Sequence, residues 1–387
     1  MPRLPRAIYA LGWVSLLMDI ASEMVYPLLP LFMTGSLGLG KEIVGLVEGV
    51  AEATSSLFKV AGGRISDRIA ARKPLLLAGY GTPALLRPIL ALATASWHVL
   101  AYRFLDRVGK GLRTAPRDAL LAEVTPKGQY GRAYGLHRAM DSVGATIGPL
   151  LAFALLPLVG FRGVFWLSAI PAALAVLVIV FAVREKGGIA RPLPPLRFSN
   201  FSPQYRHFLL VTGVFTLGLS SNAFLILRLT DLGLSDAQAT LAYTGYNLLY
   251  ALSSYPLGLL ADRFGLRRMV AAGLALYALV YLGLGLSSQA WQGIALFGLY
   301  ALYSAAFEGS SRAYLATLIP PTEKASAIGF YHTLMGLLLF PASLLFGLLW
   351  EGFGAPVAFF FGSSMAAFAL LIFLQGSARH KLPVGLP

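Results

Sequence analysis

Four carboxylates stand in the most apolar part of this 387-residue chain. Asp19 and Glu23 are four residues apart in the first apolar run, and Glu48 and Glu52 are four apart in the second. On helices, each pair therefore shares a face. The segment from Arg103 to Pro149 adds Arg103, Asp106, Arg107, Lys110, Arg113, Arg117, Asp118, Arg138 and Asp141. Arg103, Arg107 and Lys110 fall at i, i+4 and i+7, again on one face. An ionisable side chain at a bilayer centre costs about 2.5–3.5 kcal/mol or more, so it faces a partner or a wet cavity. Two kinds of chemistry are open to such a set. The carboxylates either neutralise Arg103, Arg107 or Arg138 in an ion-pair network that fixes helix register, or at least one of them takes up and releases a proton. Asp19, Glu23, Glu48, Glu52, Arg103 and Arg107 are the candidates for that proton coupling. Lys110 and Arg113 are also close enough to the end of their helix to reach headgroups.

The elements that position these residues are membrane helices. The chain is 57% hydrophobic and only 12% charged, whereas soluble domains carry about a quarter charged residues. Apolar runs of roughly twenty residues, the length that crosses a bilayer, recur along it. Hydropathy and turn residues give about twelve spans, all helical, so both termini share a side. Lys and Arg decide which: Arg3 and Arg6, then Arg64 to Lys73, Arg113 to Arg132, Arg184 to Arg206, Arg263 to Arg268, Arg312 and Lys324, and Arg379 and Lys381 fall on one side, against Lys41, Arg162 and Arg228 on the other. The termini are expected to be cytoplasmic, in a multi-pass protein of the plasma (inner) membrane. Loop placement accounts for the net charge of +14, so no nucleic-acid partner is expected. The first apolar run is too long for a cleavable leader and lacks a small-residue cleavage site. With no cysteine, thiol chemistry is closed.

Residues 184–206, with Pro192, Pro194 and Pro195, read as a cytoplasmic linker between an N-terminal half, 1–183, and a C-terminal half, 207–387. The halves look like repeats. Gly63-Arg-Ile-Ser-Asp67-Arg68 recurs as Gly258-Leu-Leu-Ala-Asp262-Arg263, Arg117 maps onto Arg312 at the same offset, and Gly135 maps onto Gly329 after a one-residue slip. Two six-helix halves in pseudo-symmetry follow.

These residues resemble the major facilitator superfamily over essentially the whole chain. Its loop motif Gly-x-x-x-Asp-Arg-x-Gly-Arg-Lys is matched by Gly63, Asp67, Arg68, Arg72 and Lys73, with Ala70 and Ala71 departing from it, and again by Gly258, Asp262, Arg263, Gly265, Arg267 and Arg268. The resemblance implies a cytoplasmic gate at Gly63, Asp67, Arg68, Arg72, Gly258, Asp262, Arg263 and Arg267. Gly144-Ala-Thr-Ile-Gly148-Pro149 is similar to the motif of the family's antiporters, although glycines four apart followed by proline also suit close packing and a bend. Arg107-Val-Gly-Lys-Gly111 is similar to the family's Arg-x-x-Gln-Gly, with Lys110 replacing the Gln; in the family that arginine is associated with proton coupling.

The C-terminal half is poor in charge, and its polar positions suit a substrate cavity: Asn222, Tyr243, Asn247, Tyr250, Tyr303, Glu308 and His332, with Arg138 and Asp141 from the first half. No Walker sequence, metalloprotease motif or nucleophile–base set is present, so an enzyme is not expected. Neither is a cofactor or a metal site. The expected protein is a monomeric secondary transporter in the lipid bilayer, moving a small-molecule solute by alternating access, as a proton-coupled antiporter for efflux. Proton-coupled import of an organic anion, with Arg103, Arg107 and Arg138 as ligands, is the alternative within transport. A transport-inactive sensor of the same fold is the alternative outside it.

Overall fold

The computed structural model describes residues 4–69, 72–126, 129–183, 202–319 and 324–378. The expected linker lies outside the described residues as far as position 201. Helices make up nearly all the described chain: α1 (Arg6–Val25, continued by Leu28–Leu31 and the π-turn Phe32–Ser36), α2 (Lys41–Ile69), α3 (Lys73–Ala91), α4 (Ser96–Val124), α5 (130–159), α6 (161–182), α7 (Pro203–Leu217, resumed as Asn222–Asp231), α8 (Asp236–Phe264), α9 (Leu266–Leu286), α10 (Ala290–Thr317), α11 (Lys324–Phe353) and α12 (Ala355–Ala378). α5 and α6 are separated only at Gly160, whose φ of 64° a side-chain-bearing residue adopts at a cost.

Among the described residues, seven stretches are long and apolar enough to cross a bilayer by composition alone, and one of them covers both α5 and α6. α2, α3, α4 and α8 have the length, but their apolar residues are diluted by charge in α2 and α4, by glycine and proline in α3, and by tyrosine and serine in α8. Leu85, Leu158, Phe181 and Phe353 are 73–78% exposed, a belt of bare apolar surface that only lipid accommodates. An even number of crossings brings both ends of the described chain to one face, the terminal face.

α1 to α6 pack chiefly on one another, and so do α7 to α12; the two sets touch along α2 with α11 and α5 with α8. Apolar packing shows where they are joined. One buried cluster unites the C-terminal helices with the far ends of α1, α2 and α3, while the part of the first half nearest the terminal face, around Ile8, Leu11, Leu76 and Leu120, forms a cluster of its own. Inter-half contacts run from Lys41 N–H donating to Glu351 Oε2 at the far face, 2.8 Å, down to Asn247 Nδ2 donating to the Ala145 carbonyl, 3.2 Å. The seam of α2 and α11 is made by backbone: a Cβ on Gly49 would stand 2.7 Å from the Phe340 carbonyl, and one on Gly347 2.5 Å from that of Lys41.

Both helices at the centre of the molecule are broken. α1 stops before Pro27, which has no N–H to continue it. α7 unwinds at Gly218 and restarts with Ser221 as N-cap, its hydroxyl accepting from Ala223 N–H at 3.3 Å. Tyr277 donates to the freed Gly218 carbonyl at 2.9 Å. The two breaks meet, with the hydroxyls of Tyr26 and Ser221 3.2 Å apart. These residues are 195 positions apart, the same spacing as Asp67 and Asp262, so equivalent points of the expected repeats touch across the centre. Interrupted helices with exposed backbone and hydroxyls at mid-depth are where carriers build solute sites.

Basic residues at the helix ends act as caps. Arg162 donates to the carbonyls of Ala91 and Ala93, at 2.7 and 2.8 Å, and Arg228 to those of Leu284 and Ser287, at 3.1 and 2.6 Å. Lys73 does the same for Val180 and Val183 at 2.9 and 2.8 Å. Each satisfies carbonyls that a helix end leaves open.

Candidate functional site

Glycine decides how closely the acid-bearing face of α1 can be approached. A Cβ on Gly148 of α5 would lie 2.7 Å from both Glu23 Cβ and the Ile20 carbonyl; on Gly144 it would lie 2.6 Å from the Leu16 carbonyl and 3.0 Å from Asp19 Cβ. The Gly144, Gly148, Pro149 motif is therefore the surface on which the Asp19–Glu23 face rests. Gly148→Ala should push α5 away from α1, with an overpacking cost of about 1–3 kcal/mol, and should lower both melting temperature and transport. Gly135→Ala is the control, because nothing lies within 4 Å of the position its Cβ would take. Equal stability and activity in the two variants would show the contact to be slack.

The four carboxylates have different surroundings. Glu48 is buried and ion-paired: Arg103 donates to its Oε1 at 2.5 Å and Ser221 of α7 to its Oε2 at 2.9 Å, with the Arg103 guanidinium 5.5 Å from the Tyr26 ring. Glu23 accepts from the Tyr243 hydroxyl of α8 at 3.0 Å. Asp19 lines a cavity, and Glu52 lines another. Among the described residues no cation lies within ion-pair distance of Asp19, Glu23 or Glu52. Among the described residues the carboxylate within ion-pair distance of Arg107 is that of its neighbour Asp106, at 3.9 Å.

Asp19 opens into an alcove of about 200 Å³ among α1 to α5, lined by Ser15, Met18, Lys59, Tyr80, Lys110, Arg113, Thr114, Arg117, Arg138 and Asp141. Lys110 and Arg113 therefore point inward instead of toward headgroups. Arg113 donates to the Gly79 carbonyl at 2.8 Å and lies over the Tyr80 ring at 4.5 Å. Arg117 bonds Asp118 at 2.9–3.0 Å and Ser15 at 3.3 Å, while His137 stands 3.5 Å from Asp141.

A larger cavity of about 410 Å³ is lined by Glu52 and, from α7, α10 and α11, by Ser220, Asn222, Phe215, Tyr300, Tyr303, Phe307, Glu308, Arg312 and His332, with Tyr246 of α8. Tyrosine rings brace one another behind it, Tyr277 on Tyr281 at 4.0 Å and Tyr277 on Tyr303 at 5.0 Å. Tyr250 donates to Glu308 at 3.2 Å, and Glu308 lies 3.6 Å from Arg312. Of the sequence candidates, Asn222, Tyr303, Glu308 and His332 line this cavity and Arg138 and Asp141 line the alcove, while Tyr243 and Asn247 serve as inter-half contacts. Among the described residues no three His, Asp or Glu side chains converge as metal ligands.

The gate candidates are spread out. Gly63 lies against α4, where its Cβ would be 3.3 Å from that of Ala115, and Arg72 is ion-paired to Glu123. Gly258 and Asp262 border a groove between α8 and α10. Arg68, Asp262 and Arg263 are exposed, and Arg267 sits 5.5 Å over the Phe373 ring. The Asp67 side chain lies outside the described residues. Sequence reasoning passed over Arg87, which is wholly buried in α3 and donates to Ser22 at 3.0 Å. A lone cation inside an apolar span was the available signal.

Two helix sets joined at one face, broken helices at their meeting point and cavities lined by charged and polar side chains between the helices define a membrane carrier. The chain belongs to the Major Facilitator Superfamily, whose family model matches residues 11–227 and 208–385. It is thus a multi-pass secondary transporter of small solutes, not an enzyme. It is 33% identical over 381 residues to an uncharacterized MFS-type transporter of Methanocaldococcus jannaschii, covering 96% of this chain and 95% of that protein. It is 28% identical over 333 residues to the multidrug resistance protein MdtH of Photorhabdus laumondii, covering 83% of this chain and 81% of that one. A POT family transporter crystallised with 5-aminolevulinic acid shares the fold, with a TM-score of 0.83, 15% identity and coverage of 97% and 96% of the two chains.

Proposed function

We propose that the chain carries a small amphiphilic solute by alternating access and couples it to protons through Asp19 and Glu23, with both termini cytoplasmic. The observation that carries this reading is the position of those two carboxylates. They lie at mid-depth on the face where α5 and α8 meet α1, and Glu23 bonds Tyr243 across the two halves. A proton gained or lost there bears directly on the contact that holds the far face shut. The cavity's tyrosines, with polar tips on apolar rings, suit an amphiphile. The repeated Asp-Arg motifs at Asp67 and Asp262 would lock the terminal face in the opposite state, which fits the exposure of Asp262 and Arg263 while that face is open.

Two directions are open to such a carrier. Export in exchange for protons is favoured by the Gly144 to Pro149 motif and by relatives named as multidrug resistance proteins. Uptake of an organic anion together with protons is favoured by the alcove, which sets five cations against two carboxylates. In inside-out vesicles acidified within, antiport should concentrate solute and a protonophore should abolish the gain. Accumulation only in right-side-out vesicles under an inward proton gradient would mean co-transport. Absence of any gradient-driven flux over a broad compound panel would remove proton coupling altogether.

A further inference from the structure

The alcove holds more positive charge than its own acids neutralise. Of its five cations, Arg113 and Arg117 are engaged by Gly79, Tyr80, Asp118 and Ser15. Lys59, Lys110 and Arg138 are exposed to the cavity although they lie well inside their helices, and among the described residues none has a carboxylate within ion-pair distance. Unpaired cations inside a membrane protein are held by water or by an anion, and a cleft lined by one sign of charge concentrates the other.

We propose that this alcove is the subsite for a fixed negative charge on the transported solute, a sulfonate, phosphonate or carboxylate head whose aromatic or alkyl body lies against the tyrosine wall. The inference rests on the cavity being the solute path. The dimensions divide accordingly: about 200 Å³ takes a head group, and the 410 Å³ of the tyrosine-walled cavity takes the body. Lys59 borders the alcove and lies in the electrostatic field of Glu52 and Arg312, which line the larger cavity, so it stands where head and body would join.

The same head sets the sign of coupling. Asp19 is faced by Lys59 of α2, Tyr80 of α3, Lys110, Arg113 and Arg117 of α4, Arg138 and Asp141 of α5, and Glu23 of its own helix. Two negative charges brought together there are best accommodated when one carries a proton. An acidic solute and a proton on Asp19 therefore bind together and cross together, the proton entering from water in the open cavity and leaving to water on the other side.

Benzenesulfonate is the probe, because it stays ionised at every working pH; benzyl alcohol and benzylamine are its neutral and cationic counterparts. Benzenesulfonate should raise the melting temperature of the purified protein and the other two should not. Lys110→Gln and Arg138→Gln should each weaken the benzenesulfonate effect roughly tenfold, and unliganded melting of each variant reports whether it is folded. In proteoliposomes containing a pH dye, benzenesulfonate influx should acidify the interior. Asp19→Asn should abolish the acidification, and undiminished acidification in that variant would overturn the assignment of the proton to Asp19. Equal stabilisation by all three compounds, unchanged in the variants, would overturn the subsite. So would stabilisation by phosphatidylglycerol vesicles with none by benzenesulfonate, which would assign the charge to lipid. Alkalinisation on influx would overturn the coupling sign. Anion-selective binding without flux of any compound would uphold the subsite and defeat the transport reading of the cavity.

Discussion

Arg103→Gln is expected to lower the melting temperature of the purified protein by several degrees and to abolish transport. The substitution strands Glu48, which is buried and takes its strongest hydrogen bond from that guanidinium at 2.5 Å. Removing one partner of a buried pair costs about 3–5 kcal/mol in soluble interiors, most of it from the charge left behind. Glu48→Gln strands the arginine instead, but keeps an oxygen to accept from Ser221 and so should be somewhat milder. The double variant removes both charges and should recover much of the stability without recovering normal transport, since Ser221 and Tyr26 lose the ion pair that orients them across the two halves. Thermal melting of the two singles and the double decides it. Singles as stable as the parent, or a double no better than the worse single, would show that the pair contributes little.

The neutral variants of α1 should behave in the opposite way. Asp19→Asn and Glu23→Gln leave no cation stranded, because among the described residues neither acid is ion-paired, so melting should hardly change. Gln at position 23 can still accept from Tyr243. What should disappear is accumulation: a carrier with its proton site fixed in the neutral form exchanges labelled for unlabelled solute but cannot use the gradient. Counterflow and gradient-driven uptake measured side by side make the comparison. Normal accumulation by both variants would move the proton elsewhere, with Glu52 next in line. A collapse in melting temperature would turn the pair into scaffold.

The helical plan was legible because lipid imposes it. A run of about twenty apolar residues and an alternating distribution of Lys and Arg are consequences of the solvent, and both can be counted along a chain. Spacing also identified shared faces, such as Asp19 with Glu23 and Gly144 with Gly148. It did not say which face meets which. Glu48 finding Arg103 while Glu52 turns to the tyrosine cavity depends on how α2 is rotated against α4 and α11, and that rotation is set by glycines such as Gly45 and Gly49 far along the sequence from their contacts. Depth along the helix left headgroups within reach of Lys110 and Arg113, whereas the alcove that receives them exists only once α1, α2, α4 and α5 are assembled. Arg162 and Arg228 counted as loop charge, yet each is consumed by the carbonyls of another helix end.

The glycine seam between α2 and α11 bears on how easily the molecule can reverse itself. Interlocked side chains resist parting twice over, because dispersion contacts are lost and large apolar groups are wetted. Where backbone lies on backbone, as at Gly49 and Phe340 or Gly347 and Lys41, there are no knobs to withdraw and little apolar area to wet. Such a joint is close without being sticky, more a bearing than a clasp. It lets two arrangements of the same helices stand within a few kcal/mol of one another, so that a single proton or solute molecule is enough to tip the balance.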